Sequence, residues 1–395
     1  MPKPSAAIVG GGAAGALALL VVVIAFVWFC RNHCKSFSNK NSETGSSDPS
    51  AIGKTLCLLI TLIPCSPPLS VEWNRGGPGS EARHGPRLFT LEELDQATKH
   101  FDESSLLGYG SFGLVYKGLL RDGTVVAIKR RSGAPRQDVV SQVTYLSEIH
   151  HRHLVRILGY CQESGFQVLV YEYLPSGSVC NHLYDTRSEP STKFEFKQRL
   201  SIALGAAKGL SHLHGLKPPI VHKNFKTANV LVDENFTAKV ADAGISKLLE
   251  KIEEAGPSRT SSVNFFEDPE AGSSGVTSEM SDVYSFGVFA LELLTGQEAL
   301  HIGFLGSNES LFQWVESWLS SNNLADRRLA GSFTAEGMRD LIRLTLQCMS
   351  FPAKRRPKME MVVMELERIQ EKEMSMTTVM GEGTDTITLG SVLFT

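Results

Sequence analysis

His222-Lys223-Asn224-Phe225-Lys226-Thr227-Ala228-Asn229 is the stretch on which the reading of this chain turns. Two amides, Asn224 and Asn229, stand five residues apart, and no carboxylate lies between them. An amide is neutral and has no useful basicity, so Asn224 can orient a hydroxyl but cannot take its proton. Asp242 follows downstream in Asp242-Ala243-Gly244. Asn229 and Asp242 carry hard side-chain oxygens. Working outward in the other direction, Gly108-Tyr109-Gly110-Ser111-Phe112-Gly113-Leu114-Val115 has the spacing G-x-G-x-x-G-x-V. Glycines at these positions let a turn lie close to anionic oxygens with backbone N–H groups facing them. Alone this signal is weak, because glycine is abundant here at 35 residues. Val126-Ala127-Ile128-Lys129, with its lysine 16 residues beyond Gly113, strengthens it.

Composition sets the bounds. The 395 residues carry 39 basic and 42 acidic side chains, a net charge of -3, which excludes the basic excess typical of nucleic-acid binding. The 42% apolar content supports a sizeable core. The seven cysteines are scattered without a C-x-x-C pair, which argues against a disulfide scaffold or zinc site and fits a reducing compartment. Residues 6–30 form an uncharged apolar run ending in Val27-Trp28-Phe29-Cys30-Arg31. As a helix this run is about 37 Å long, enough for a hydrocarbon core of about 30 Å. The aromatic belt and the following Arg31, Lys35 and Lys40 predict a single membrane span with the bulk of the chain on the cytoplasmic side. Cys30 and Cys34 then lie at the inner face, as plain membrane-edge cysteines or as palmitoylation sites.

The expected order is a short external tail over 1–5, the span over 6–30, and a disordered linker over 31–86 rich in Ser, Gly, Pro and Asn. An apolar island, Thr55 to Pro64, interrupts this linker; it reads as retained non-coding sequence within 51–70, or as a segment resting on membrane or domain. A folded domain is expected over 87–372, followed by a disordered polar tail over 373–395. Thr90 with Glu93 three residues later is a helix-start signal. Strands are expected over 106–118, 124–130, 154–161 and 167–173, with one helix over 139–150. From Ser178 onward apolar residues recur at three and four, as in Leu200-Ala203-Leu204-Ala207 and Leu341-Leu344-Cys348. The fold class is therefore α+β, a small β-rich lobe over about 101–175 and a helical lobe over 176–372.

From about Phe89 to Lys372 the chain resembles the plant receptor-like serine/threonine protein kinases. The residues that carry the resemblance are the glycine loop, Val126-Ala127-Ile128-Lys129, and His150-His151-Arg152-His153-Leu154-Val155. Leu169-Val170-Tyr171-Glu172-Tyr173-Leu174 and Ser281-Asp282-Val283-Tyr284-Ser285-Phe286-Gly287 extend it. The resemblance implies a bilobal kinase fold that binds ATP with Mg²⁺. Nucleotide contacts would come from Gly108, Tyr109, Gly110, Ser111, Gly113, Val115, Ala127, Lys129, Tyr171, Glu172, Leu174, Asn229, Leu231 and Asp242. Tyr171 would be the gatekeeper, Glu172 and Leu174 the hinge, and Asn229 and Asp242 the metal ligands. Asn224, Lys226, Lys129 and Gln142 would make up the catalytic set.

The family pattern breaks at its chemical positions. Asn224 stands where the family has the aspartate that accepts the substrate proton. Gln142 falls where a glutamate pairs with the strand lysine; it can hydrogen-bond to Lys129 without supplying charge, and Asp138 is an alternative partner one turn away. Ala243 replaces the phenylalanine of D-F-G, which leaves a hole costing about 3–5 kcal/mol unless neighbours fill it. The segment Ser262-Val263-Asn264-Phe265-Phe266 before Asp268-Pro269-Glu270 departs from the usual substrate platform. Ser258, Thr260, Ser261 and Ser262 read either as phosphate acceptors beside Arg259 or as a plain solvated loop. Scaffold positions are kept: Glu270 is expected to meet Arg356, and Asp282 to hold the His222 loop. The combined expectation is a plasma-membrane receptor-like kinase homologue, impaired in catalysis, that scaffolds or switches an active receptor-like kinase or downstream signalling protein. A homodimer or heterodimer is compatible with this. An active Ser/Thr kinase with a rearranged base is the alternative.

Overall fold

Alternation along the first strands decides one face of a sheet. In β4 (Val125–Ser132) Val126 and Ile128 are fully buried while their neighbours are not. The computed structural model describes residues 85–134, 136–184, 194–253, 264–299, 325–329 and 331–380. These all lie in the second of the two units into which the chain divides, 80–395. The expected span at 6–30 and the apolar island at 55–64 lie outside the described residues. None of the described helices is long and apolar enough to cross a membrane.

The first lobe is a six-stranded sheet ordered β1-β5-β6-β4-β3-β2. Its strands are β1 (Arg87–Leu88), β2 (Leu106–Tyr109), β3 (Leu114–Leu119), β4, β5 (Ile157–Glu163) and β6 (Phe166–Glu172). Only β1, beside β5, is parallel to its neighbour. Helix α1 (Leu91–Ala97) starts at Thr90, whose side chain accepts from Glu93 N. Glu93 itself pairs with Arg87 rather than closing a reciprocal box. Helix α2 (Gln137–Ser147) lies against the sheet through Val139, Val143 and Leu146.

The second lobe is built around α4 (Phe196–Gly215) and α7 (Glu279–Thr295), with α3 (Val179–Tyr184), α8 (Ala335–Cys348) and α9 (Met359–Met380) around them. Every residue of α7 from Ser281 to Thr295 is buried, so this helix is apolar almost all round. Two short strands, β7 (Val230–Val232) and β8 (Ala238–Val240), form a hairpin within the helical lobe. Backbone bonds Val155 N to Val240 O and Val240 N to His153 O, both 2.9 Å, tie this hairpin to the chain entering β5.

One boundary differs from expectation. Helix α9 continues past Lys372, and its Glu373 is fully buried, accepting from Thr334 N at 2.8 Å and Thr334 Oγ1 at 2.5 Å. Those bonds draw the chain beyond 372 into the fold, where a polar tail was expected from 373. A further helix, α5 (Ile245–Glu253), follows directly after Gly244. The described cysteines Cys161, Cys180 and Cys348 are free thiols.

Candidate functional site

The site forms where the glycine-loop hairpin, β4, the 222–229 loop and the segment after β8 converge. β3 and β4 pair with Val115 opposite Lys129, which sets the loop's base against the lysine. At Gly113 (φ 149°) an added Cβ would come within 2.3 Å of Arg130 O, so only glycine lets the hairpin close here. The turn is held by Gly110 N donating to Gly113 O at 2.8 Å.

Lys129 makes its ion pair with Asp242, not with Gln142. Gln142 is 9% exposed, and its side chain makes no hydrogen bond to Lys129 among the described residues. The expected Gln142–Lys129 bond is thus not formed, and Asp242 takes its place because a carboxylate satisfies an ammonium better than an amide does. The side chain of Asp138 lies outside the described residues. Asp242 is 4% exposed, adopts a left-handed backbone (φ 64°) and also accepts from Ser111 Oγ at 3.5 Å. The glycine loop therefore reaches Asp242, the position expected to hold metal, directly. Its Phe112 is buried in one cluster with Val139, Val143 and Leu146 of α2 and Ile245, Leu248 and Leu249 of α5.

Ala243 is half-buried and packs against the core of the helical lobe. Leu146 lies so close over Gly244 that an added Cβ there would sit 2.4 Å from Leu146 Cδ2. Ile245, Leu248 and Leu249 recur at one, four and five residues beyond Gly244, a helical stripe that could have announced α5 from the sequence. Tyr171 belongs to the same cluster. Its ring lies 5.1 Å from Lys129 Nζ, and its buried hydroxyl has no partner among the described residues. Burial, with Asp242 nearby, raises that phenol well above its ordinary range.

The catalytic loop is fixed from below. Asp282 accepts from His222 N at 2.7 Å, Lys223 N at 2.9 Å and His214 Nε2 at 2.9 Å. A carbonyl only accepts and a backbone N–H only donates. His222 must therefore donate through Nε2 to Ala241 O (2.8 Å) and accept at Nδ1 from Asn224 N (3.3 Å), which fixes the neutral tautomer. Asn229 Nδ2 donates to Asn224 O at 2.8 Å, leaving its amide oxygen as a hard ligand. Lys226 carries no side-chain partner among the described residues, and its carbonyl accepts from Asn229 N at 2.8 Å. Thr227 bonds to Glu292, which also accepts from Tyr184 Oη at 2.5 Å. This knot was not foreseen.

The remaining expected residues are scattered around this centre. Ala127 pairs with Tyr171 across β4 and β6, and Leu174 is buried just beyond β6. Leu231 bridges to Ser178. Tyr109 is 84% exposed, so its side chain faces away from the Lys129–Asp242 pair. Glu172 turns its carboxylate to Lys239 (2.9 Å) and to Arg156 N (2.9 Å). Glu270 meets Arg356 at 3.3 Å as expected, but the principal partner of Arg356 is Asp268, held through two bonds of 2.7 and 2.9 Å. Phe266 O accepts from Ser285 Oγ at 2.7 Å, anchoring the end of the activation segment. Its serines and threonine at 258–262 lie outside the described residues. No cluster of three or more His, Cys, Asp or Glu able to hold a metal occurs among the described residues.

Residues 101–366 match the model of the protein tyrosine and serine/threonine kinase family. The chain is 37% identical over 301 residues to proline-rich receptor-like protein kinase PERK1 of Arabidopsis thaliana, a match covering 73% of this chain and 46% of that protein. It is 37% identical to receptor-like cytoplasmic kinase 176 of Oryza sativa subsp. japonica, over 73% of this chain and 77% of the relative. Among solved structures, the pseudokinase domain of BIR2, an immune regulator of the RLK/Pelle family, is similar with a TM-score of 0.60 and 30% identity. That likeness covers 71% of this chain and 86% of the other. The chain spans about half the length of the proline-rich receptor-like relatives it matches. With this bilobal fold, glycine loop and catalytic-loop framework, the chain belongs to the protein kinase family and has plant receptor-like kinases among its homologues.

Proposed function

We propose that this chain is a membrane-anchored receptor-like pseudokinase, which binds ATP with Mg²⁺ and acts as a scaffold or allosteric partner of an active kinase. The observation that carries the reading is Asn224 at the base position of a loop whose supports, His222 and Asp282, are in place. A missing general base costs about 10²–10⁴ in rate. Gln142 supplies Lys129 no charge, and Lys129 and Asp242 neutralise each other.

The donor set fits the nucleotide. Asp242, Ser111 and the Asn229 amide oxygen are hard oxygen donors; Ser111 and Lys129 reach Asp242, and the Asn229 backbone carbonyl accepts from the N–H of Ala241, the residue before Asp242. Asn229 and Asp242 would hold Mg²⁺, Lys129 would meet the α- and β-phosphates, and the backbone of Gly108–Gly113 would cover them. Bound there, Mg²⁺ would neutralise phosphate charge. Because Lys129 must leave Asp242 to do this, the affinity is expected to be modest. Residues 6–30 serve as the membrane span and the kinase-like domain, extending to about 380, lies on the cytoplasmic side.

Retention of Lys129, Asn229 and Asp242 in one place favours a second reading, a weakly active Ser/Thr kinase. Thermal-shift titration with ATP, with and without Mg²⁺, tests the leading one. It predicts saturable stabilisation of about 2.7 kcal/mol at a hundred times Kd, dependent on Mg²⁺ and lost in Asp242→Asn. Absence of any shift would remove ATP from the account.

A further inference from the structure

A cavity of ≈ 410 Å³ opens on the other side of the hinge, where the crossing from α2 to β5 meets the β7–β8 hairpin. Its wall includes His150, His151, Arg152, Arg156, Glu172 and Lys239. The wall is fixed in both lobes. Leu154 bridges to Val240, and Lys239 lies on the hairpin strand itself.

The charges in this hollow do not cancel. Glu172 is the sole acid of the lining, and both its oxygens are engaged. Lys239 Nζ donates to each at 2.9 Å, and Arg156 N donates to one of them at 2.9 Å. Lys239 and Glu172 therefore neutralise each other. The guanidinium groups of Arg152 and Arg156 have no carboxylate partner among the described residues, which leaves an excess of two positive charges. His151 adds a donor without charge. It accepts at Nδ1 from His153 N at 3.3 Å, which places its proton on Nε2, and burial beside His212 and His153 holds its pKa down to about 4. The hollow by α1 differs: it holds three acids against two arginines, and Arg87 and Arg121 are engaged by Glu93 and Gln96.

Guanidinium forks match the oxygens of a phosphate monoester, whose charge at neutral pH is about -1.5 to -2. A membrane surface is instead met by runs of about four to eight Lys or Arg side by side. Two arginines at the edge of one hollow, beside an acid already neutralised, suit a single dianion on a narrow ligand. We propose that this hollow docks a phosphorylated serine or threonine side chain of a partner polypeptide, gripped by Arg152 and Arg156. Because the wall spans both lobes, an occupant there bears on their mutual orientation. The inference holds whether or not the chain binds nucleotide or transfers phosphate.

The test is fluorescence anisotropy on the full chain with a labelled phosphothreonine peptide and its unphosphorylated twin. The phosphopeptide should bind at least about tenfold tighter, a difference of about 1.4 kcal/mol. Arg152→Gln and Arg156→Gln should each remove most of that preference, and inorganic phosphate should compete. Both arginines are exposed, so their variants should melt at the wild-type temperature, which separates loss of binding from loss of fold. Equal binding of the two peptides, or a preference unchanged in the double variant, would overturn the proposal. So would stronger capture by vesicles containing phosphoinositide than by the phosphopeptide.

Discussion

The foundations of the catalytic loop and the groups they present are built to different standards. Below the loop, Asp282 accepts three hydrogen bonds and Arg356, its side chain 1% exposed, grips Asp268 through two. Above it, the expected base position holds an amide, Gln142 brings Lys129 no charge, and an alanine stands where the resemblance expects the aromatic of D-F-G. The lower set keeps the fold, because a buried charge that loses its partner is costly. The upper set serves chemistry alone, and changes there leave the fold standing. Phosphoryl transfer is mostly positioning and electrostatics, so under the proposed reading the loss would fall on rate and spare architecture.

That contrast can be broken or sharpened by substitution. Arg356→Ala would strand Asp268 and release Met280 O and Ser350 O, which Arg356 also holds. The expected loss is about 3–5 kcal/mol in chemical denaturation. A loss below about 1 kcal/mol would mean that the foundation is not structural.

Ala243→Phe restores the family residue at a half-buried position packed against the helical-lobe core, next to a Gly244 that Leu146 already crowds. Overpacking should cost about 1–3 kcal/mol. Stabilisation on adding the ring would show that the space had stayed open.

The smallest effect is the pH dependence. Burial by itself raises the Asp268 carboxyl, but the Arg356 bonds and the Glu270 N–H outweigh it and bring the pKa below its ordinary value. Asp326 is lowered in the same way, by Arg328 and Arg199 against burial. A depressed folded pKa contributes stability above the unfolded value of about 3.9, and this is lost as pH falls through the folded value. Urea midpoints should thus fall below about pH 4. Asp268→Asn should flatten that slope; an unchanged slope would contradict the assignment.

Much of this was legible in the sequence. Strand alternation, the glycine loop and Lys129 gave the first lobe, because half-buried strands print their period directly. Arg356–Glu270 and Asp282–His222 were readable from the resemblance to the kinase family. The dominance of Asp268 was not, since only geometry decides which of two neighbouring carboxylates a guanidinium prefers. The Lys129–Asp242 pair was also hidden. It follows from what Gln142 fails to offer, a tertiary contact between residues 113 positions apart. The burial of Phe112 against α5 depends on both loops folding at once, and neither stretch announces the other. Polar composition suggested a tail after 372, whereas the acceptor role of Glu373 toward Thr334 brings the chain into the domain.

Single-turnover transfer from ATP labelled on its γ-phosphate tests the central claim most directly, comparing wild type, Lys129→Met and Asn224→Asp. Wild type should be at or near the Lys129→Met background, and Asn224→Asp should raise transfer by about 10²-fold or more. Wild-type transfer at about 1–100 s⁻¹, the range of active kinases, abolished by Lys129→Met, would contradict the account.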